Sequence, residues 1–285
     1  MILALLATTL STVACVPLVA QEPENSSSDE NDDTALQQRL AGLAAEFQFT
    51  ALPDDQPPIL ISETPLLSYT NPIRAQGQVG SIFLWTRDKR PAVIGSLWTF
   101  RINDDSRRLS IELHSLSQNE IQAKLPTLEN PRRPLPDFRP PAPAITWAPL
   151  SSAGLRSASP AQVRSKIRRN AERFSAEVID PQTGNAQALR LLPKPLYEFK
   201  TDDVVYGAIC AFVLATDPEL IVILEARKSG NSIELHYAFA RMTGRQLKVK
   251  IEGEDTLSFD RAPVWDGNHA YYFCPNVTSL VDANK

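Results

Sequence analysis

Two pairs of side chains in this sequence have the chemistry for acid–base catalysis. Glu112 and His114 belong to one copy of the pentapeptide Ser-Ile-Glu-Leu-His, and Glu234 and His236 belong to a second copy. In an extended strand, residues two apart point to the same face, so each glutamate is expected beside its histidine. A carboxylate next to an imidazole transfers protons, and two such pairs brought together bind a divalent metal ion. These four residues are therefore candidate catalytic residues.

A structural role for the two pairs is the alternative. Both pentapeptides alternate polar and apolar residues, which is typical of a strand with one face in solvent. The glutamates and histidines are then outer-face positions that the two strands share by common origin. The sequence lacks the helical metal-binding spacing His-Glu-x-x-His, and the third histidine, His269, has no motif around it. The sequence itself predicts no metal ion and no cofactor.

Four basic residues in one segment with helical periodicity are candidate binding residues. They are Arg164, Lys166, Arg168 and Arg169. On a helix they cover the faces opposite the apolar stripe. A basic face of this kind binds anionic polymers or lipid head groups, or it is solvated and paired with acidic residues. Both interpretations stay open on the sequence.

The tryptophans are a third group with binding chemistry. Trp85, Trp98, Trp147 and Trp265 carry flat rings that stack on ligands in clefts. Their positions in apolar strands favour a role in core packing instead.

Two cysteines, Cys210 and Cys274, lie outside the apolar N-terminal segment. In an oxidising compartment they are the candidates for one disulfide bond. A buried free thiol is the alternative for Cys210, because residues 207–213 are almost entirely apolar. A nucleophilic cysteine needs a nearby base and an electropositive setting, and the sequence around these two shows neither.

Composition and missing motifs exclude several classes of function. Hydrophobic residues make up 43% and charged residues 22%, which excludes a wholly disordered chain. Six acidic residues fall in residues 22–33, and the rest of the chain nearly balances 27 acidic against 29 basic residues, unlike a dedicated nucleic-acid binder. The chain has no P-loop, G-x-G-x-x-G, G-x-S-x-G or C-x-x-C motif, so the common nucleotide, dinucleotide, hydrolase and redox functions are unsupported.

The N-terminus predicts export. Residues 1–20 are apolar or small and carry no charged side chain, and the small residues before position 21 permit cleavage. We expect a signal peptide over 1–20 and an acidic disordered leader over 21–33. The alternatives are a retained membrane anchor and a lipoprotein acylated at Cys15. The expected location is the periplasm, the cell envelope or the outside of the cell.

Two helices are predicted, one in each half of the chain. Each starts with a capping residue followed three positions later by glutamine: Thr34 with Gln37, and Ser159 with Gln162. Apolar residues at helical spacing continue over 34–49 and 160–178.

Sequence landmarks recur in the same order after both helices. A glycine precedes an apolar strand at Gly80 and Gly207, and a proline follows eleven residues later at Pro91 and Pro218. The pentapeptide and then a tryptophan follow in both halves. This colinear series predicts an internal duplication of about 110 residues. The short connections between strands predict an antiparallel meander in each copy.

The expected fold is α+β, with two pseudo-repeated modules of one helix and four or five antiparallel strands each. Module 1 spans 34–125 and module 2 spans 160–268, with a Pro-rich connector over 126–159 and a C-terminal tail over 269–285. Eight prolines in 126–149 predict extended chain that lies over the surface. The order of elements resembles cystatin-like and nuclear-transport-factor-like architectures.

A more specific resemblance extends over roughly residues 36–267. It is carried by these segments: Pro65-Leu-Leu…Asn71-Pro72, Leu84-Trp-Thr…Arg90-Pro91, Glu112-Leu-His-Ser-Leu-Ser117, Arg190-Leu-Leu-Pro-Lys-Pro-Leu-Tyr197, Ala211-Phe-Val…Thr216-Asp-Pro218 and Tyr237-Ala-Phe-Ala-Arg-Met-Thr243. They look like the landmarks of an uncharacterised family of exported proteins from planctomycete-type bacteria. The resemblance implies export and a bacterial source, and it brings no activity, ligand or catalytic residue.

These observations together lead us to expect a non-catalytic binding or interaction module of the bacterial cell envelope. Its expected partner is an anionic envelope component or another protein, and not a nucleic acid. The alternative is an enzyme that uses the Glu–His pairs as an acid–base or metal site between the two modules.

The strands also predict how the modules pack. Residues 82–85 and 220–224 are apolar on both faces, so both faces must be covered. We expect a helix on one face of each sheet and the other sheet on the second face. Phe83, Trp85, Val222 and Leu224 should then be buried.

Overall fold

A computed structural model describes residues 26–53, 57–71, 77–103, 106–150, 155 and 159–281. The predicted signal peptide and its alternatives fall in residues 1–25, outside the described residues. Within the described ranges, no helix combines the length and the hydropathy that crossing a bilayer requires.

The described residues form two helices and eighteen strands. The helices are α1 (Ser26–Ala45) and α2 (Pro160–Ala171). Strands before α2 are β1 (Gln48–Ala51), β2 (Leu60–Ile61), β3 (Leu67–Asn71), β4 (Gln78–Arg87), β5 (Arg90–Asn103), β6 (Ser106–Ser115), β7 (Ile121–Lys124) and β8 (Ala148–Leu150). Strands after α2 are β9 (Phe174–Ile179), β10 (Ala186–Ala188), β11 (Arg190–Leu191), β12 (Tyr197–Phe199), β13 (Val204–Leu214), β14 (Asp217–Ser229), β15 (Ser232–Arg241), β16 (Leu247–Ile251), β17 (Glu254–Phe259) and β18 (Tyr271–Val281). The protein is α+β, with mostly antiparallel sheet.

Helix α2 begins as predicted and ends earlier than predicted. The Ser159 backbone N–H donates to Gln162 Oε1 at 2.7 Å, and the Gln162 N–H donates to Ser159 Oγ at 3.4 Å, which completes a capping box. The helix ends at Ala171 and not at residue 178. Residues 174–179 form β9 instead, because alternate side chains of this segment are buried while its backbone pairs with β16.

Helix α1 differs from the prediction at both ends. It begins at Ser26, so residues 26–33 are helical and not the disordered leader that their composition predicted. The helix ends at Ala45, and β1 follows within the range expected to be helical.

Two six-stranded antiparallel sheets form the body of the protein. In the first sheet the strand order is β18-β6-β5-β4-β2, and β3 also pairs with β4. In the second sheet the order is β11-β13-β14-β15-β8, and β12 also pairs with β13. Two smaller sheets, β1-β7 and β10-β9-β16-β17, accompany them.

Each large sheet receives its last strand from the other half of the chain. Strand β8 follows the strands of the first sheet and pairs with β15 of the second. Strand β18 follows the strands of the second sheet and pairs with β6 of the first. The expected C-terminal tail is therefore a strand over residues 271–281, because Tyr272 and Cys274 are needed in the core and are fully buried.

The two large sheets pack face to face, as the apolar strands predicted. Ile82, Leu84 and Ile94 of the first sheet lie in one cluster with Ile221 and Ile223 of the second. Helix α1 and the β1-β7 pair cover the outer face of the first sheet, and α2 with β9 and β16 covers that of the second. The burial prediction is confirmed for its four named residues, listed with their exposed fractions: Phe83 2%, Trp85 1%, Val222 0% and Leu224 0%.

The proline-rich connector lies along the first sheet and is anchored to it. The Tyr272 hydroxyl donates to the Pro136 carbonyl at 3.1 Å, and the Thr278 hydroxyl donates to the Glu129 carbonyl at 2.7 Å. Phe138 is 1% exposed and enters the core of the first half. The connector thus runs over the surface of the folded unit, as expected, before it reaches β8.

Candidate functional site

The first Glu–His pair lies in the interior between the two large sheets. Glu112 is 6% exposed and His114 is 4% exposed. The expectation of a half-exposed strand is wrong for this copy, because the second sheet covers the polar face of β6. Glu234 of the second copy has a side chain that is 51% exposed, and its Oε2 lies 3.6 Å from His236 Nε2.

The two pentapeptides do not occupy equivalent positions in their sheets. His114 lies opposite Ile94 on one side and Tyr271 on the other, whereas His236 lies opposite Glu225 and Pro149. Among the described residues, no group of three or more His, Cys, Asp or Glu side chains is arranged to hold a metal ion. The described residues therefore do not form the metal site that was the alternative interpretation of the two pairs.

His114 lines a cavity of about 330 Å³ together with Arg241 and Tyr271. Its Nδ1 lies 2.9 Å from the Ser115 carbonyl oxygen. Burial lowers the pKa of His114 to about 4, and the charge of Arg241 adds to this effect. The imidazole is thus neutral near pH 7. The guanidinium of Arg241 donates hydrogen bonds to the backbone carbonyls of Thr243, Arg245 and Asp260, which gives it a structural role.

The basic residues of α2 are divided between ion pairs and solvent. Arg164 NH2 and Arg168 NH2 lie 3.4 and 3.1 Å from the carboxylate of Glu198 on β12. Lys166 is half-buried and Arg169 is exposed. Two of the four predicted binding residues thus connect the helix to the second sheet, and the face is less cationic than its sequence indicates.

The two cysteines are buried free thiols, so Cys210 follows the alternative of a buried thiol and the candidate disulfide does not form. Cys210 lies in the core beneath α2, and Cys274 lies in the core beneath α1. These cores are on opposite sides of the two large sheets, which keeps the sulfur atoms apart. Burial raises the pKa of Cys210 to about 12 and that of Cys274 to about 11, so neither thiol is a ready nucleophile.

A second cavity opens where the β4–β5 hairpin meets the second sheet. It has a volume of about 190 Å³, and its polar lining includes Arg87, Arg90, Trp147, Asp203, Glu225 and Arg227. We call these six residues and the cavity the open corner. The hairpin places the first two arginines there, the connector supplies the tryptophan, and the second sheet with the loop before β13 supplies the rest.

A buried carboxylate organises the open corner. Glu225 has a side chain that is 1% exposed. Arg90 donates from Nε to Oε1 at 3.3 Å and from NH2 to Oε2 at 3.1 Å, and Arg227 Nε donates to Oε2 at 2.6 Å. Arg90 NH2 also reaches Asp203 at 2.9 Å. Burial opposes the charge on Arg90, but the carboxylates of Glu225 and Asp203 outweigh burial and raise the pKa of Arg90.

Two more features complete the open corner. The guanidinium of Arg227 lies over the ring of Trp147, 4.1 Å from its centroid, which holds the ring in place at the wall of the cavity. The NH1 group of Arg87 is buried, and the part of the chain that the structure describes offers it no hydrogen-bond acceptor. Every other charged group in this lining has an opposite charge beside it.

The β13–β14 hairpin makes the reciprocal contact with the first sheet, and there the space is filled. The Thr216 hydroxyl donates to the Thr70 carbonyl, and Gln78 Nε2 donates to Asp217 Oδ2 at 3.2 Å. Tyr69 and Ser96 share a hydrogen bond of 3.0 Å between their hydroxyl oxygens.

The residues Tyr69, Gln78, Ser96 and Asp217 are all buried, and we call them the closed corner. Burial first, and then the charge of Asp217, raise the pKa of Tyr69 well above its usual value.

The sequence signals for the open corner were faint. The apolar strand context favours core packing for Trp147, yet its side chain is half-buried and lines the cavity. Arg90 and Glu225 are 135 residues apart and have no motif, so only the packing of the two sheets brings them together. Comparisons of the chain with protein-family models, curated proteins and solved structures give no match.

Proposed function

We propose that this chain is an exported, non-catalytic binding protein of the bacterial cell envelope, and that its ligand binds in the open corner. The observation that supports this proposal is a cavity between the two sheets whose charged walls are fixed in advance by the Glu225 ion pairs. A pre-organised site loses little conformational entropy when a ligand binds.

The chemistry of the open corner supports binding better than catalysis. Both oxygens of Glu225 accept hydrogen bonds from arginines, which leaves this carboxylate poorly placed to take a proton from a substrate. Arginine stays protonated in proteins and does not transfer protons near neutral pH. The groups in this lining therefore attract and orient a ligand without reacting with it.

Export and the bacterial source belong to the same proposal. They rest on the apolar N-terminal segment and on the family resemblance. A fusion of residues 1–25 to a reporter that is active only outside the cytoplasm tests export. An active reporter is the expected result, and cytoplasmic retention would contradict this part of the proposal.

An enzyme remains the second candidate, supported by the position of His114 at the 330 Å³ cavity with Tyr271. Catalysis there needs an imidazole that reagents reach from solvent. Treatment with diethylpyrocarbonate at pH 7 measures this access. We expect slow modification of His114, which is 4% exposed, and rapid modification would favour the enzyme.

We also infer that the two halves arose by duplication, and matching irregularities in both sheets support this. The ladder between β4 and β5 slips after Trp85, which faces Val93, while Thr86 faces Pro91. The ladder between β13 and β14 slips in the same way after Phe212, and Val213 faces Pro218. A proline lacks the N–H that a regular ladder needs, so each one fits a bulge.

A second matching feature is an aromatic ring that lies on a glycine. A Cβ on Gly80 would come 2.6 Å from Tyr69 Cζ, and a Cβ on Gly207 would come 2.3 Å from Phe199 Cζ. Only glycine allows the rings to approach so closely in either sheet. The position of the pentapeptide does not support the duplication. Trp98 and Glu225 are corresponding residues, because they face Gly80 and Gly207. On the next strand, however, Trp98 faces Ser110, whereas Glu225 faces His236.

Saturation-transfer NMR on the full chain tests the binding proposal. The fragment set contains equal numbers of small anions, cations and neutral molecules. We expect fragments that bind the wild type and not the Ile145→Phe variant, whose larger ring fills the cavity. Val264→Phe is the matched control, because Val264 is 51% exposed and lies away from the cavity lining. An absence of bound fragments, or equal binding to Ile145→Phe, would show that the open corner is not a binding site.

A further inference from the structure

The charges of the open corner favour an anionic ligand. Its lining contains three arginines and two carboxylates, so one positive charge is in excess. Arg90 and Arg227 are both committed to Glu225, and Arg90 also to Asp203. The excess charge is therefore that of Arg87.

Arg87 also has an unused donor. Its side chain lines the cavity, and its NH1 group is buried and finds no acceptor among the residues that the structure describes. A buried charged donor without an acceptor is costly, and a ligand oxygen at this position removes the cost. A carboxylate suits a guanidinium especially well, because both groups are planar and form two parallel hydrogen bonds.

The remaining walls define the body of the ligand. Four large aliphatic side chains line the cavity, and two smaller apolar residues add to them: Ile59, Leu116, Ile145 and Ile223, with Pro91 and Ala92. The cavity of about 190 Å³ is somewhat larger than the roughly 150 Å³ that accommodates benzene. A body of about six to ten non-hydrogen atoms with little polarity fits these walls. A cationic ligand does not suit the site, since the oxygens of Glu225 are already engaged by two arginines.

We propose that the open corner binds a small organic monocarboxylate, with its carboxylate on Arg87 and its apolar body between the isoleucines and Trp147. This inference rests on the proposed function and specifies its ligand class. A single negative charge matches the single excess arginine. A dianion such as a phosphate monoester adds a charge for which the lining has no second free cation among the described residues.

Isothermal titration of the full chain with benzoate tests the proposal. We expect a dissociation constant below about 1 mM, which is reasonable for a ligand of about nine non-hydrogen atoms. Benzamide has the same shape without the charge and should bind at least about tenfold more weakly. Phenyl phosphate should bind no more tightly than benzoate.

Variants at Arg87 test whether the carboxylate of benzoate binds to this residue. Arg87→Gln should weaken benzoate binding by about tenfold or more and leave benzamide binding unchanged, because only the charged donor is lost. The benzoate affinity of Arg87→Lys should lie between those of the wild type and Arg87→Gln, since lysine keeps the charge but lacks the planar guanidinium that forms two parallel hydrogen bonds. Arg139→Gln is the matched control, because the Arg139 side chain is 74% exposed and pairs only with the exposed Asp137 among the described residues.

The outcomes separate this proposal from the broader one. Binding of neutral or cationic fragments without benzoate, or benzoate binding that Arg87→Gln does not weaken, would overturn the monocarboxylate and leave the binding function intact. No binding of any fragment would overturn both. If Arg87→Gln fails to fold, as judged by circular dichroism, the comparison of benzoate with benzamide on the wild type decides.

Discussion

The open corner and the closed corner are reciprocal contacts with different contents. At each one, a hairpin of one large sheet reaches a short strand of the other: the Tyr197 hydroxyl donates to the Lys89 carbonyl, and the Thr216 hydroxyl donates to the Thr70 carbonyl. The first contact borders a cavity with five charged side chains. The second encloses hydrogen-bonded tyrosine, serine and glutamine side chains around one aspartate.

The difference lies in how each corner satisfies its buried polar groups. In the closed corner, neutral side chains fill the space, and Tyr69 lies directly on Gly80. In the open corner, the long side chains of Arg90 and Arg227 turn towards Glu225 and leave space beside them. Packing therefore stabilises the first corner and ion pairing the second. If the duplication and the binding site proposed above are both correct, one inherited contact kept a structural role while the other became the binding site.

The largest effect is expected for Tyr69→Ala in the closed corner. Tyr69 is 4% exposed, and deletion of a buried aromatic side chain removes about 3–5 kcal/mol from the free energy of unfolding. Trp147→Ala is the matched change in the open corner and should remove less, about 1–2 kcal/mol, because Trp147 is half-buried. Urea unfolding followed by circular dichroism measures both losses. Equal losses would show that the two corners do not differ in packing.

The second expected effect is a loss of stability in mild acid, caused by His114, which is buried between the two large sheets. The pKa of His114 is lowered by burial to about 4 in the folded chain, whereas an unfolded histidine has a pKa near 6.5. Between these values the unfolded chain binds a proton that the folded chain does not. Stability should therefore fall by about 3 kcal/mol as the pH falls from 7 to 4.

Unfolding measured at several pH values in His114→Gln and His236→Gln tests this expectation. The first variant should lose most of the pH dependence between 6.5 and 4, and the second should keep it. The contribution of the open corner to stability should change only at lower pH. Partial burial alone would raise the pKa of Asp203, but Thr201 and Arg90 outweigh burial and hold this pKa below its usual value. That carboxylate contributes stability above its unfolded pKa and loses it as the pH falls through the folded value. A flat profile in the wild type would contradict the assignment to His114.

The local patterns of the sequence predicted which segments form helices and strands better than they predicted which strands pair with each other. Hydrophobic periodicity located both helices and the central strands, and the capping box located the start of α2, since these signals are carried by neighbouring residues. The capping residue predicted for α1, Thr34, lies inside the helix, which begins at Ser26. Strand β9 was missed because six residues give too short an alternation to outweigh a helical pattern before them. Strand β18 was missed because its burial depends on β6, which lies about 160 residues earlier in the chain.

The two identical pentapeptides indicated equivalent positions in the two sheets, and this inference about the site was wrong. The repeated Ser-Ile-Glu-Leu-His suggested two equivalent Glu–His pairs, but Ser110 and His236 are the residues that face corresponding positions. The register of a strand is set by its hairpin and by the core, and these outweigh a match of five residues. Arg87 and Glu225 lie in unremarkable turns and strands, so the open corner emerges only from tertiary packing.

A third, smaller effect is expected for Arg90→Ala in the open corner. Glu225 would keep Arg227 as its ion-pair partner among the residues of the open corner, and its side chain is 1% exposed. Loss of one partner of a fully buried ion pair lowers the free energy of unfolding by about 3–5 kcal/mol. Because the Arg90 side chain is 36% exposed, we expect Arg90→Ala to lower it by about 2 kcal/mol. Arg139→Ala is the control with an exposed ion pair and should have almost no effect. A loss no greater than that of the control would mean that water screens the open corner.

The smallest effect is expected outside both corners, at Glu198 on the outer face of the second sheet. Glu198 bridges Arg164 and Arg168, whose side chains are 52% and 51% exposed. Exposed charges are screened by water and salt, and each long side chain loses rotamer freedom when it is held in place. Glu198→Gln should therefore shift the Tm by less than about 2 °C at low salt, and by nothing measurable in 0.5 M NaCl. A shift as large as that of Arg90→Ala would mean that the basic face of α2 stabilises the fold as much as the open corner does, and that ion pairing is not a special property of the site between the sheets.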